Sequence, residues 1–503
     1  MAALPSLTLF LGSLVFIGWR VTDRRRAWLA ESGFTAAALA ADLSLWPGLP
    51  AEANLPLWSA DLSGSSAVGL RLTAPIWGLL ALLLSHGLAV TASSGGVAGV
   101  ETARQRAARL AVLGAASLGV ASSTTLTFVL TWALGSAALA WLRAESDPSD
   151  RAMTPWRLVG GGDVGGVMLL VAAFALAAIE GAQALATSAL LGAAVLKAMP
   201  KAPGSAEGSG ARWTHLRSVL PGSAMAVGLV ARGFDPAMLA ASGGLIAAAG
   251  AVMLFAGAVV FWLGEKAGAR LPAFALASLG ASVAAVALGP RQAEVAAAAG
   301  GATMLVAGTL AFGPRAADRA GRLAPIAAGL AISAIPFLPG ATLLDVLSAP
   351  SWPSAVGVAT TMGLVLLGAG AIFEGLTGEA AADREASSLG VLSVVVMLGV
   401  GALTFSALHA GRAAVAGPLN LVAPAIAVGA ALVMRLVPAN RRRRVARAMR
   451  GPAVLPLAAW LGAGGRALGR AIREGRDVLE GDASILWAFV VVLVAFLMLR
   501  AAA

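Results

Sequence analysis

Cysteine and tyrosine are absent from this chain, histidine occurs three times, and charged residues make up only 12% of it. Each shortage closes a class of function. Without cysteine there are no disulfides, no thiolate metal sites and no iron–sulfur ligation. His86, His215 and His409 are too few to expect haem or zinc ligation. The lack of tyrosine leaves any aromatic belt at a membrane interface to Trp and Phe. The scarcity of charge excludes most. Soluble domains carry about 25% charged residues. Here half that share is combined with 58% hydrophobic residues and a mean hydropathy of +0.84, which implies a polytopic membrane protein. No long polar stretch is left for a soluble domain or a nucleic-acid module. The net charge of +11 comes from arginines in short segments between apolar runs, as the positive-inside rule requires, and is no nucleic-acid footprint.

A span needs about 20 mostly apolar residues, and such runs recur along the chain. The first, 3–19, is followed by Arg20, Arg24, Arg25 and Arg26, so it reads as an anchor with its N-terminus outside rather than as a signal peptide. Residues 33–47 are short and contain Asp42, and a polar, Pro-containing loop follows to about residue 66. Further runs lie near 67–91, 106–122, 124–142, 163–179, 181–199, 214–232, 238–263, 270–288, 294–313, 322–339, 355–375, 389–409 and 416–436. Placing both the Arg20–Arg26 and the Arg441–Arg444 clusters in the cytoplasm demands an even number of crossings between them, which favours counting 33–47 as a span. Beyond Arg444, residues 456–480 put Leu461, Leu468, Ile472 and Leu479 on one helical face and Arg466, Arg470 and Arg473 on the other, an interfacial amphipathic helix. A last span at 484–500 brings the expected total to about sixteen. The expected organisation is 1–66 as N-terminal helices and external loop and 67–436 as the transmembrane core. Residues 437–503 are the basic loop, amphipathic helix and final span. The Ala, Gly and Arg bias is that of a high-GC bacterial genome, so a multi-pass protein of a bacterial inner membrane is expected.

The most informative stretch is Leu185 to Pro236. An apolar helix carrying Lys197 meets a break at Pro200 and Pro203. After a Gly/Ser-rich loop comes a second helix, opened by His215 and Arg217 and closed by Arg232. A lysine at the end of a membrane-length apolar run is expensive, and by default marks function. Upstream, Leu126 to Ala133 reads LTFVLTWA. Downstream, Arg270 to Gly280 reads RLPAFALASLG, Leu323 to Leu347 contains the turn Ile335-Pro336-Phe337-Leu338-Pro339-Gly340, and Leu479-Glu480-Gly481 precedes Trp487.

In order and spacing these elements resemble the antiporter-like membrane subunits of respiratory complex I, Mrp cation/proton antiporters and membrane-bound hydrogenases, in their long complex-I-type form. The resemblance runs over roughly residues 65–500. LTFVLTWA is similar to that family's Leu-x-x-Phe-x-x-Trp-Glu signature, with Ala133 where the glutamate stands. Lys197 resembles the family's relay lysine before a proline break. His215-Leu216-Arg217-Ser218 through Arg232 is similar to its Leu-Leu-His-Ser helix, with Arg217 in the usual histidine's place. The stretch Gly301 to Gly313 is similar to the helix that normally carries a histidine and a lysine, but Gly301 and Leu305 occupy those places. The resemblance implies an all-α bundle with inverted five-helix repeats. It implies no cofactor of its own, redox chemistry belonging to other subunits. The implied partners are other membrane-arm or antiporter-like subunits, and the lipid bilayer.

Each candidate has a plainer alternative. Lys197 reads as a proton-relay lysine whose charge burial makes costly, or as a helix-end lysine snorkelling to the interface. His409 and Arg412, three apart before Gly417-Pro418, read as half-channel lining or as an interfacial cluster. His215 and Arg217 stand at the start of the second helix, although arginine is a poor relay member because it does not deprotonate. His86 reads as a satisfied packing histidine, and Glu180, Asp345 and Glu374 as solvated helix-end carboxylates. The glycines at 160–166 lack the strand and the Lys-Ser/Thr ending of a phosphate loop. The expected function is therefore a membrane-arm subunit of a complex-I/Mrp-like proton- or cation-translocating assembly. Its ion path is partly degenerate, which leaves room for a structural role. The rivals are an active ion-coupled transporter and an unrelated multi-span carrier. The first includes the membrane half of an inorganic-carbon transporter with a soluble zinc-bearing subunit.

Overall fold

The computed structural model describes residues 1–18, 24–55, 68–93, 102–146, 161–198, 209–263, 267–288, 293–313, 319–347, 354–377, 387–408 and 419–436, apart from positions 178, 180, 235, 334 and 336. The described chain is a helical bundle. Its helices are α1 (Leu4–Gly18), α2 (Arg24–Leu43), α3 (Ala74–Ser93), α4 (Ala103–Ala121), α5 (Thr125–Ser146), α6 (Gly161–Ala177), α7 (Gln183–Ala198) and α8 (Ser209–Gly233). The series continues with α9 (Pro236–Leu263), α10 (Ala267–Leu288), α11 (Ala293–Phe312), α12 (Arg319–Ile332), α13 (Pro339–Leu347), α14 (Ser354–Thr377), α15 (Ser387–Leu408) and α16 (Leu419–Leu436). Six contain stretches long and apolar enough to cross a membrane: Ala74–Ala92, Thr125–Glu145, Ala237–Trp262, Arg270–Ala287, Ala293–Phe312 and Val356–Leu376. Six shorter apolar helices accompany them. The amphipathic helix expected at 456–480 and the last span at 484–500 lie outside the described residues, as do Glu180, His409 and Arg412.

Three sequence expectations need correction. The loop expected before residue 66 contains half of an antiparallel strand pair, β1 (Ala51–Leu55) with β2 (Val68–Leu72), so the described fold is not purely helical. Alternation in Val68-Gly-Leu-Arg-Leu72 puts Leu70 and Leu72 in the core and Arg71 outside, where it pairs with Glu52 at 3.1 Å. Residues 33–43 of the short run are the latter part of a longer helix, α2, which begins at the arginines and carries Glu31 into the bundle, and Trp46–Gly48 form a separate helical turn. The run at 322–339 is broken. α12 ends at Ile332, Phe337 adopts a left-handed conformation (φ 71°), and α13 restarts at Pro339.

Small residues set how closely the helices approach. A Cβ on Gly257 of α9 would lie 2.6 Å from the Ala277 nitrogen of α10, and one on Gly280 of α10 2.7 Å from the Gly250 carbonyl oxygen of α9. These two helices meet backbone to backbone. α11 is the central helix, with every residue from Ala296 to Phe312 buried.

One end of the bundle is tied by Arg232, the last basic residue of α8. Its guanidinium donates to the Ala121 and Ser122 carbonyls at the end of α4 (3.2 and 2.9 Å) and to the Arg71 carbonyl of β2 (2.8 Å). It also donates to Glu294 at the start of α11 (2.8 and 3.1 Å). Glu294 accepts in turn from Thr73 at 2.8 Å. The five donors of one planar fork thus join a strand and three helix ends.

Candidate functional site

Lys197 closes α7 and is almost fully buried, 2% exposed. Its ammonium donates to the Ser136 hydroxyl at 2.9 Å and to the Trp132 carbonyl at 3.1 Å, and lies 5.0 Å from the centre of the Trp132 ring. These are three neutral groups of α5: a hydroxyl, a carbonyl and a π face. Ser136 stands halfway along the 22 residues of α5, about 16 Å from its start at 1.5 Å per residue. Lys197 therefore ends its helix but does not snorkel to an interface.

Local sequence explains how the ammonium gets there. Gly135 leaves room for it, since a Cβ at that position would lie 3.4 Å from Nζ and 3.1 Å from the Met225 sulfur. Gly222 lets α8 approach the Lys197 carbonyl, where a Cβ would lie at 2.9 Å. Ser223 donates its hydroxyl proton to the Val219 carbonyl of its own helix at 2.8 Å, with the Ala198 carbonyl at the end of α7 3.3 Å away. Ala133, where the signature has its glutamate, is exposed on the outside of α5. His215 and Arg217 fall in the first turns of α8, their side chains outside the described residues.

Position 301, where the resembled family normally carries a histidine, is closely packed. A Cβ on Gly301 would lie 2.8 Å from Val227 of α8 and 2.9 Å from Leu79 of α3, and Leu305 one turn on is fully buried. No side chain of histidine size fits at 301 without repacking.

A buried ionic grouping escaped the sequence. Glu31 of α2 is 1% exposed and receives Arg109 of α4 through two parallel bonds (2.8 and 2.7 Å) and Arg106 through one (2.6 Å). Sequence reasoning did not single out Glu31. What marks it is that Arg106 and Arg109, three apart on α4, need a counter-charge once buried. His86 of α3, expected as a packing histidine, is indeed buried and bonded, with Nδ1 2.8 Å from the Thr309 hydroxyl of α11. Glu374, expected to be solvated, instead pairs with Arg270 at 3.5 Å and is largely buried. Asp345 is half-buried in α13. Among the described residues no group of three His, Cys, Asp or Glu side chains is placed to hold a metal ion.

No protein-family model and no curated protein sequence matches the chain. Solved structures do. Superposed on a chain of the Mrp complex from Dietzia sp. DQ12-45-1b, the protein gives a TM-score of 0.67 at 16% identity, covering 98% of this chain and 62% of that one. The fold is that of the Mrp chain. A chain of the membrane-bound sulfane sulfur reductase, an archaeal respiratory membrane complex, superposes with a TM-score of 0.55 at 14% identity, covering 98% of this chain and 99% of that one. The resemblance drawn from Lys197, LTFVLTWA and the 335–340 turn thus holds at the level of fold, and this is a multi-pass membrane protein of Mrp-like architecture. It spans 62% of the Mrp chain's own length.

Proposed function

We propose that the protein is a membrane-arm subunit of a proton- or cation-translocating assembly of the complex-I/Mrp kind, sited in a bacterial inner membrane. In this role Lys197 is the charge-carrying group of its first half-channel. The observation that carries this is the position of the Lys197 ammonium, buried halfway along α5 on a hydroxyl, a carbonyl and an indole face. An ionisable group at that depth is costly in a purely structural protein. It can hold a proton on Nζ and pass it to water or to a hydroxyl within reach. With Ala133 at the signature glutamate and an apolar plug at Gly301, the path is reduced relative to the family pattern. The bundle then also serves to hold and seal its neighbours. The expected count of about sixteen spans in inverted five-helix repeats belongs to the same proposal.

The test begins with the full chain purified in mild detergent and its co-eluting proteins identified. Sister antiporter-like or redox subunits support the assignment. A single soluble zinc-bearing partner moves the protein to the inorganic-carbon alternative, and elution alone even after crosslinking removes the assembly role. Reconstituted into liposomes, the same preparation should lose ion flux on Lys197→Ala. Unchanged flux assigns the chain a sealing role only.

A further inference from the structure

Asp42, in the last turn of α2, is fully buried, and among the described residues neither of its carboxyl oxygens has a hydrogen-bond partner. The other buried carboxylates singled out above are paired, Glu31 with Arg106 and Arg109 and Glu374 with Arg270. The Asp42 carbonyl accepts from the Trp77 indole of α3 at 2.8 Å and from the Leu45 N–H at 3.0 Å, so the indole donor serves the backbone and not the carboxyl. Among the described residues no cation faces it either. Of the helices packed against α2, α1 has no charged side chain, and α3 offers only His86, about 14 Å along the helix from Trp77. The arginines of α4 lie in its first turns: Arg104 is exposed, and Arg106 and Arg109 are held by Glu31, about 16 Å before Asp42 along α2. The N-terminal amine sits on the exposed Met1. A buried carboxylate with neither partner nor counter-charge is so costly that the group takes up a proton instead. Native proteins leave few buried polar atoms unpaired, and each such atom calls for an explanation. The corner also has a way out. Trp46, in the helical turn after α2, packs on Trp77 with ring centres 4.6 Å apart and is 42% exposed, against 4% for Trp77.

We propose that Asp42 is a proton-binding residue of this chain, holding a proton in its resting form and exchanging it with water that reaches the carboxyl past Trp46. In the exchange the carboxyl O–H bond breaks and the proton passes to a water oxygen, and the reverse transfer restores the acid. No electrons move and water is the one co-reactant. The position matching the signature glutamate on α5 is Ala133, so the protonatable carboxyl comes from a different helix. It sits at the end of the bundle that Arg232 ties: Trp77, bonded to the Asp42 carbonyl, is one turn from Thr73, whose hydroxyl donates to Glu294. Glu31, locked to two arginines, acts as a fixed charge and leaves the carrier role to Asp42.

This role rests on the function proposed above, and the test separates the two. Infrared difference spectra of the full-length protein, wild type minus Asp42→Asn, should show the carbonyl-stretching band of a protonated carboxylic acid at neutral pH. That band should shift on transfer to D2O. Carboxylate bands in its place mean an ionised or cation-bound group, and an acid band that ignores D2O means a sealed packing group; either overturns the inference. Asn has nearly the shape of the neutral acid, so Asp42→Asn should melt close to wild type in detergent, whereas a strong loss of stability would reveal a charged, partnered carboxylate and overturn the inference too. In liposomes, with whatever chains co-purify, a potassium diffusion potential drives flux that an internal pH dye reads. Asp42→Asn should cut proton flux about tenfold or more, and wild-type flux in this variant makes Asp42 structural. If Lys197→Ala abolishes flux while Asp42→Asn does not, this inference alone falls. If only Asp42→Asn lowers flux, the role given to Lys197 falls and this one stands. If neither variant matters, or wild type does not conduct, both fall.

Discussion

Ser136 holds the Lys197 ammonium at 2.9 Å from the middle of α5, three residues beyond Ala133, which is exposed. A neutral hydroxyl thus faces the lysine from α5, and the position matching the signature glutamate is on the surface of the described bundle.

A carboxylate restored at the right place should therefore be recognised. Ser136→Asp is expected to form an ion pair with Lys197 and to change ion flux in liposomes more than Ala133→Glu does. Ser136→Ala should cost about 1.5–3 kcal/mol, the usual value of a hydrogen bond to a charged group, read as a lower melting temperature in detergent. Equal effects of the two carboxylate variants would contradict the geometry.

Glu31→Gln leaves two buried arginines without their counter-charge. Breaking a buried pair in this way costs about 3–5 kcal/mol, so the variant should aggregate or melt well below wild type. Arg109, bound through two parallel bonds, should matter more than Arg106 when each is replaced by alanine. The comparison needs only thermal melts of the two purified variants.

Arg232→Lys keeps the charge but loses the planar fork that reaches the Ala121, Ser122 and Arg71 carbonyls as well as Glu294. It should behave much more like Arg232→Ala than like wild type, by about 1.5–3 kcal/mol for each charge-assisted bond lost. Limited proteolysis near the β1–β2 pair reports this directly, with faster cleavage expected.

Gly301→Leu tests the plug. Overpacking there should destabilise by about 1–3 kcal/mol. Gly301→His, which restores the family's residue type, should give no increase in flux, because Val227 and Leu79 fill the space it would need. A gain of flux in the histidine variant would show that the neighbours yield.

Much of this was legible in the sequence, for reasons that differ by residue. Lys197 was found because a cation in an apolar run stands out whatever surrounds it. Its depth was not, since it depends on which turn of α5 meets the end of α7. The helices α3 to α11 fall close to their apolar runs. α2 did not, because its first half is too polar to read as part of a span. Glu31 becomes buried only once Arg106 and Arg109 face it from α4. The β1–β2 pair was missed because residues 56–67 separate its strands and no short turn marks it. His86 was correctly expected to be buried, but the significance of Thr309, 223 positions away, is a matter of tertiary contact alone.

The closeness of α9 and α10 has a mechanical consequence. With backbone atoms of one helix against those of the other at Gly257 and Gly280, there is no layer of flexible side chains to absorb a sliding motion. A sliding of one of these helices past the other would have to carry its neighbour's backbone with it, so the two move together or not at all.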